Sequence, residues 1–253
     1  MSKIVAIVNQ KGGVGKTTTA VNLAASVAAK GKKVLLADID PQGNATSGFG
    51  VSKTGNSTYD LLVNRMPAKE IIVKSEYKNV WVLPASMNLA GAEIELVDMQ
   101  KRESRLKLAL SQIDADFDYI FLDCPPSLGI ITLNALTAAD SILVPIQCEY
   151  YALEGLSQLM GTVKTVKQRF NSRIEIEGVL LTMYDGRLRL TSQVVEEVKK
   201  YFPKKVYTTV IPRNVRLSEA PSYGEPVRYY DKLSKGAIMY DQLATEFLRN
   251  NRK

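Results

Sequence analysis

The chain has 253 residues, 45% of them hydrophobic, with a formal net charge of +7, two cysteines and no histidine. That length and apolar content suit one large α/β domain over residues 1–253. The composition excludes histidine-based acid/base catalysis and histidine metal ligation, and two cysteines make neither a disulfide framework nor a metal cluster. No apolar run approaches the roughly 20 residues of a membrane-spanning helix. The N-terminus enters a strand-like run directly, so a cytoplasmic protein without a signal peptide is expected.

The first predicted strand, Ile4–Val8, leads into Lys11-Gly12-Gly13-Val14-Gly15-Lys16-Thr17-Thr18, and a helix-like stretch follows over Thr17–Lys30. Strand, glycine-rich loop and helix in that order make a phosphate-binding loop. Glycines let backbone N–H groups turn inward onto an anion, and the helix aims its positive end at the same place. In that arrangement Lys16 reaches the β- and γ-phosphates of a nucleotide, and the Thr17 hydroxyl holds Mg²⁺. The common motif has a glycine where this chain has Gln10, and a second lysine, Lys11, comes next. A positive charge at the loop rim need not serve its own nucleotide.

Further strands are predicted at Val34–Asp38, Val80–Leu83, Tyr119–Asp123, Ile142–Ile146, Ile176–Met183 and Val206–Ile211. Helices are predicted at Leu89–Ile113, Leu153–Phe170, Ser192–Tyr201 and Gly236–Arg249. Near-continuous apolar strands alternating with helices predict a mostly parallel, twisted sheet with helices on both faces, of the P-loop NTPase kind. Such sheets bind ligands beyond the carboxyl ends of their strands, so Asp38, Asp40 and Asp123 should converge near the phosphate loop. There a carboxylate can hold Mg²⁺ waters or orient an attacking water. Gln42–Thr58 is rich in Gly, Ser, Asn and Thr and reads as a mobile loop that could sense the nucleotide. Tyr150-Tyr151 and Tyr229-Tyr230 are open to two readings, stacking platforms or partly buried packing. Between Arg187 and Lys235 eleven basic residues face five acids. Composition leaves that patch open between a solvated face and a surface for a polyanion.

The phosphate loop, the Asp38-Ile39-Asp40-Pro41-Gln42-Gly43-Asn44 segment and Asp123-Cys124-Pro125-Pro126 resemble the deviant Walker ATPases, the superfamily of ParA/Soj partition ATPases and MinD. Two long blocks, Gln147–Leu156 and Ile211–Ser222, are similar to the chromosomal ParA branch, also called Soj. The resemblance implies ATP and Mg²⁺ as cofactors, an ATP-dependent sandwich homodimer, and Lys11 acting across it on the partner's nucleotide. It implies that Asp40 orients water, Asp38 supports the Mg²⁺ shell and Asp123 is the Walker B acid. It points to Pro212, Arg213 and Asn214, with Thr182-Met183, for adenine, and to Glu149 for the ribose across the dimer. Arg187, Arg189 and Arg216 would contact non-specific DNA, and a ParB-type centromere-binding protein would stimulate slow hydrolysis. The expected location is then cytoplasmic and nucleoid-associated. With the P-loop starting at once, no N-terminal helix-turn-helix domain is expected.

A MinD-like membrane-cycling ATPase is the alternative. It needs a basic amphipathic anchor at the C-terminus, whereas Ala237–Leu248 reads as a helix packed on the body, so no membrane partner is expected. Cluster chemistry would need cysteine ligands, and no CxxC is present. A metabolic kinase or synthetase would need a substrate pocket for which the sequence shows no motif.

Overall fold

A computed structural model describes residues 1–149 and 152–252. In chain order the first half comprises β1 (Lys3–Ile7), α1 (Lys16–Ala29), β2 (Val34–Asp38), α2 (Asn44–Ser47), α3 (Thr58–Leu62), α4 (Ala68–Ile71), β3 (Val73–Lys74), β4 (Val80–Leu83), α5 (Leu89–Glu95), α6 (Arg105–Leu110) and β5 (Tyr119–Asp123). Then come α7 (Ile130–Ala138), β6 (Ser141–Gln147), α8 (Ala152–Arg169), β7 (Glu175–Thr182), α9 (Arg189–Tyr201), α10 (Val215–Glu219), α11 (Val227–Tyr230) and α12 (Lys235–Asn250). The seven strands form one sheet in the order β3-β4-β2-β5-β1-β6-β7. Every pairing is parallel except β3 with β4.

Side chains alternate across a strand, and this divides the core in two. Val5, Ile7, Val34, Leu36 and Phe121 meet α1 and α12 on one face. Ala6, Val8, Leu35, Ala37, Ile120 and Leu122 meet the helices between α3 and α9 on the other. Helices thus cover both faces, which is why the central strands are apolar throughout. The chain order places the carboxyl ends of β1, β2 and β5 side by side, and with them the phosphate loop, Asp38 and Asp123.

Three expectations need correction, and one strand was unforeseen. Val206–Ile211 is not a regular strand. It follows the β7 edge through isolated bridges at Val179–Val206 and Tyr184–Pro212. Between these, the Thr208 and Thr209 amides donate to the Glu246 carboxylate at 2.7 and 2.8 Å instead of to the sheet. Leu89–Ile113 is not one helix, because Lys101 has a left-handed backbone, φ 54°. The Asn134 side chain takes its place in the gap, donating to the Arg102 carbonyl and accepting from the Leu106 amide. Gln42–Thr58 contains a helical turn, α2, with Ala45 and Thr46 fully buried. The short antiparallel strand β3 was not foreseen, since two exposed residues carry no periodic signal.

Candidate functional site

The loop between β1 and α1 has left-handed backbone at Gly13 (φ 74°) and Gly15 (φ 86°), a region open to glycine. Asn9 anchors its entry, donating to the Pro145 carbonyl and accepting from the Lys11 amide. Nothing crowds Gly12 or Gly13, and Val14 is buried beneath them. The Thr182 hydroxyl, at the end of β7, donates to the Val14 carbonyl at 2.8 Å. No side chain caps α1, and its first turn holds no acid. The orphan N–H groups of Lys16, Thr17 and Thr18 therefore remain for an anion.

Lys16 is buried at the start of α1, and its ammonium donates to the Lys11 carbonyl at 3.0 Å. Burial lowers its pKa, and the nearby charge of Asp123 partly restores it. Asp123 is fully buried, and neither carboxylate oxygen has a hydrogen-bond partner among the described residues. Burial, then the charge of Asp38, raises its pKa well above the ordinary carboxylate range, and the neighbouring Thr17 hydroxyl partly opposes this. A buried carboxylate without donors, next to a hydroxyl and a lysine, fits a hard cation that takes oxygen ligands and retains water.

Asp38 is arranged differently. Its Oδ2 accepts from the Thr46 amide at 2.7 Å and hydroxyl at 2.8 Å, and its Oδ1 from the Asp40 amide at 3.2 Å. Burial lifts its pKa to about 6 against these bonds. Asp38 thus holds α2 and the Asp40 backbone, beside the Asp123 carboxylate to which it is paired in register. Asp40 accepts from the Gln42 amide at 2.9 Å through Oδ1, and its Oδ2 has no partner among the described residues.

Lys11 is not idle at the rim. Its ammonium pairs with Glu149 of the same chain at 2.8 Å, and this bond lowers the Glu149 pKa. Pro212, Arg213 and Asn214 line a cleft of about 330 Å³ with Gly15, Thr18, Thr182 and Met183, which puts the expected adenine residues beside the phosphate loop. Met183 has a left-handed backbone there, φ 49°, a strain of the kind stored at functional sites. The Asn214 side-chain Oδ1 caps α10 by accepting from the Arg216 amide. Sequence reasoning missed Tyr240, which also lines this cleft and contacts the Thr19 hydroxyl at 3.2 Å, and Thr46. Tyr240 carries no signal beyond its place on an amphipathic helix.

The Tyr184–Pro212 bridge draws the Arg187 loop beside the Arg213–Arg216 segment. Arg187 grips Asp185 through two bonds of 2.9 and 2.7 Å and holds that carboxyl at about 2. Arg216 pairs with Glu219 at 2.7 Å and Asp231 at 3.2 Å. Arg189 opens α9 and is exposed. Tyr77 stacks on Tyr229 at 4.3 Å and Tyr223 on Tyr230 at 5.0 Å, so that tyrosine pair serves packing. The other pair, Tyr150-Tyr151, lies outside the described residues.

Residues 2–176 match the model of the AAA_31 family, an AAA domain. The chain is 60% identical to the sporulation initiation inhibitor protein Soj of Bacillus subtilis, over 99% of this chain and 100% of that protein. It is 52% identical to the chromosome partitioning protein ParA of Myxococcus xanthus, over 99% and 89%. A cobyrinic acid a,c-diamide synthase from Mycobacterium smegmatis, solved with an ATP analogue and magnesium, superposes with a TM-score of 0.86 at 37% identity, covering 98% of this chain and 95% of that one. With near-complete coverage at such identity, the chain belongs to the ParA/Soj family of chromosome-partitioning ATPases.

Proposed function

We propose that this protein hydrolyses ATP with Mg²⁺, and that its ATP-bound homodimer binds DNA without sequence preference until hydrolysis releases it. The observation that carries this reading is the pairing of an uncapped α1 N-terminus with the donorless carboxylate of Asp123, on either side of buried Lys16. The amides of Gly12 to Thr18 and the Lys16 ammonium bind the phosphates, and Lys16 exchanges the Lys11 carbonyl for them. Thr17 and Asp123 would hold Mg²⁺, which when bound neutralises charge on the phosphate oxygens. Asp40 orients the attacking water. Positioning water in this way, without a strong base, suits a slow timer.

Lys11 stabilises charge on the opposite subunit's nucleotide. It must first leave Glu149, an ion pair with side chains 34% and 45% exposed. Opening such a pair costs about 1 kcal/mol or less. Arg187, Arg189 and Arg216 contact DNA phosphates, and dimerisation doubles those contacts, which raises affinity steeply. A ParB-type partner with a positively charged tail accelerates hydrolysis. Its site of action is then the nucleoid. The MinD-like alternative is disfavoured by α12, whose apolar residues Ala237, Tyr240, Leu243, Ala244 and Phe247 are buried in the core that α1 also lines. No described helix is long and apolar enough to cross a membrane.

The test is the oligomeric state with Mg-ATP, Mg-ADP and no nucleotide, measured by light scattering beside ATP turnover. A dimer with ATP alone, and turnover, is expected. A monomer in all three overturns the reading.

A further inference from the structure

Two of the three arginines expected to meet DNA are engaged with acids of their own chain, Arg187 with Asp185 and Arg216 with Glu219 and Asp231. A different set of cations is not. Lys164, Lys167, Arg173, Lys204 and Lys205 make no ion pair among the described residues. All five are exposed. They line two adjoining grooves, of about 590 and 570 Å³, which share Lys205, Glu175 and Ile176. Of the acids there, Glu177 is already matched by Lys3, Ser141 and Asn251, and Asp140 caps the Ile4 amide. Glu175 and Asp140, whose partner is a neutral amide, are left to offset five positive charges, an excess of three.

These grooves lie where β7 begins. The phosphate loop lies where β7 ends, at Thr182. Eight residues of strand separate the two by roughly 25 Å. The apolar floor is recessed, since Val163 is 5% exposed and Ile174 is 1% exposed. None of the described lining residues is an exposed large apolar side chain, whereas unpaired lysines around a trough suit the sugar–phosphate chain of a duplex.

We infer that the trough lined by Lys164, Lys167, Arg173, Lys204 and Lys205 is a second DNA-backbone site, at the end of the sheet opposite the nucleotide. The inference rests on the DNA-binding reading above. In a dimer joined through its nucleotide loops, the two troughs face away from each other, so one dimer can hold two separate duplexes. Contacts made through phosphate alone are indifferent to sequence.

The experiment uses the full chain with a non-hydrolysable ATP analogue. A surface-tethered duplex captures protein, and capture of a second, fluorescent duplex is then measured. The wild-type chain and an Arg187→Ala/Arg216→Ala chain are compared with a Lys167→Glu/Lys205→Glu chain. Calorimetry checks that ATP binding is intact and thermal melting that each chain is folded. The trough variant is expected to hold the tethered duplex and lose second-duplex capture at least about 10-fold, the effect of removing several salt-dependent phosphate contacts. Wild-type capture of the second duplex by the trough variant overturns the inference and leaves the DNA reading standing. Failure of the wild-type chain to hold even the tethered duplex overturns the DNA reading itself. Co-sedimentation with phosphatidylglycerol vesicles that the trough substitutions abolish, with second-duplex capture unchanged, overturns the inference in favour of a membrane surface.

Discussion

Asp38 and Asp123 occupy paired positions in the register of adjacent parallel strands, both fully buried, yet among the described residues Asp38 has hydrogen-bond donors and Asp123 has none. One carboxylate is built into the protein, and the other awaits a positive partner. Burial, reinforced by the Asp38 charge, raises the Asp123 pKa, and burial raises that of Asp38, so the site opposes full ionisation in the nucleotide-free chain.

That relationship has a consequence for stability. A carboxyl whose folded pKa is raised contributes stability that is complete below its unfolded pKa, near 3.8, and is lost as pH rises through the folded value. Asp123→Asn removes the charge and keeps the shape. The nucleotide-free variant should melt a few degrees higher than the parent at pH 8, at about 2–4 °C per kcal/mol for a chain of this size, and by little at pH 4. Its Mg²⁺-dependent ATP turnover should vanish. Equal melting temperatures at pH 8 would show that Asp123 is not strained.

Lys16→Ala removes the only side chain at the head of α1 that can reach the phosphates with a full charge. ATP affinity should fall by on the order of 10–100-fold or more, from a charge-assisted bond of about 1.5–3 kcal/mol. Isothermal calorimetry measures it, and unchanged affinity would reject the role of the loop.

Asp40→Ala should still bind ATP, because the loop amides and Lys16 are untouched. Turnover should drop by on the order of 10²–10⁴-fold, the usual contribution of a positioned acid or base. Sedimentation should find a long-lived dimer with ATP, and a monomer would count against the assignment.

Lys11→Ala should bind ATP as a monomer, since the phosphates of its own nucleotide are held by other groups. The Glu149 carboxylate is left unpaired at low energetic cost because both side chains are partly exposed. Normal ATP-dependent dimerisation, followed by light scattering, would remove Lys11 from the trans role.

Much of this was legible from pattern. Five apolar runs became central strands because a parallel sheet buries both faces, and the phosphate loop followed from its glycines and its place between strand and helix. What escaped depends on single long-range partners. Nothing local says that Thr46 closes on Asp38, that Glu246 draws two amides from the sheet edge, or that Asn134 fills the break at Lys101. Charge counting found the basic C-terminal third but not which of its cations are paired. Whether an arginine is free depends on acids such as Asp185 and Asp231, which only the fold brings within reach.

The central claim is that ATP switches DNA binding on through Arg187, Arg189 and Arg216. The most direct measurement is duplex affinity without nucleotide, with ADP and with ATP, over a salt series, for the wild type and for Arg187→Ala and Arg216→Ala. Tight, strongly salt-dependent binding is predicted with ATP alone, with no preference for sequence. Each substitution removes two phosphate contacts from a dimer, so the slope of log affinity against log salt should fall by roughly 1.8. Binding that ignores the nucleotide, or slopes that match the wild type in both variants, would contradict the account.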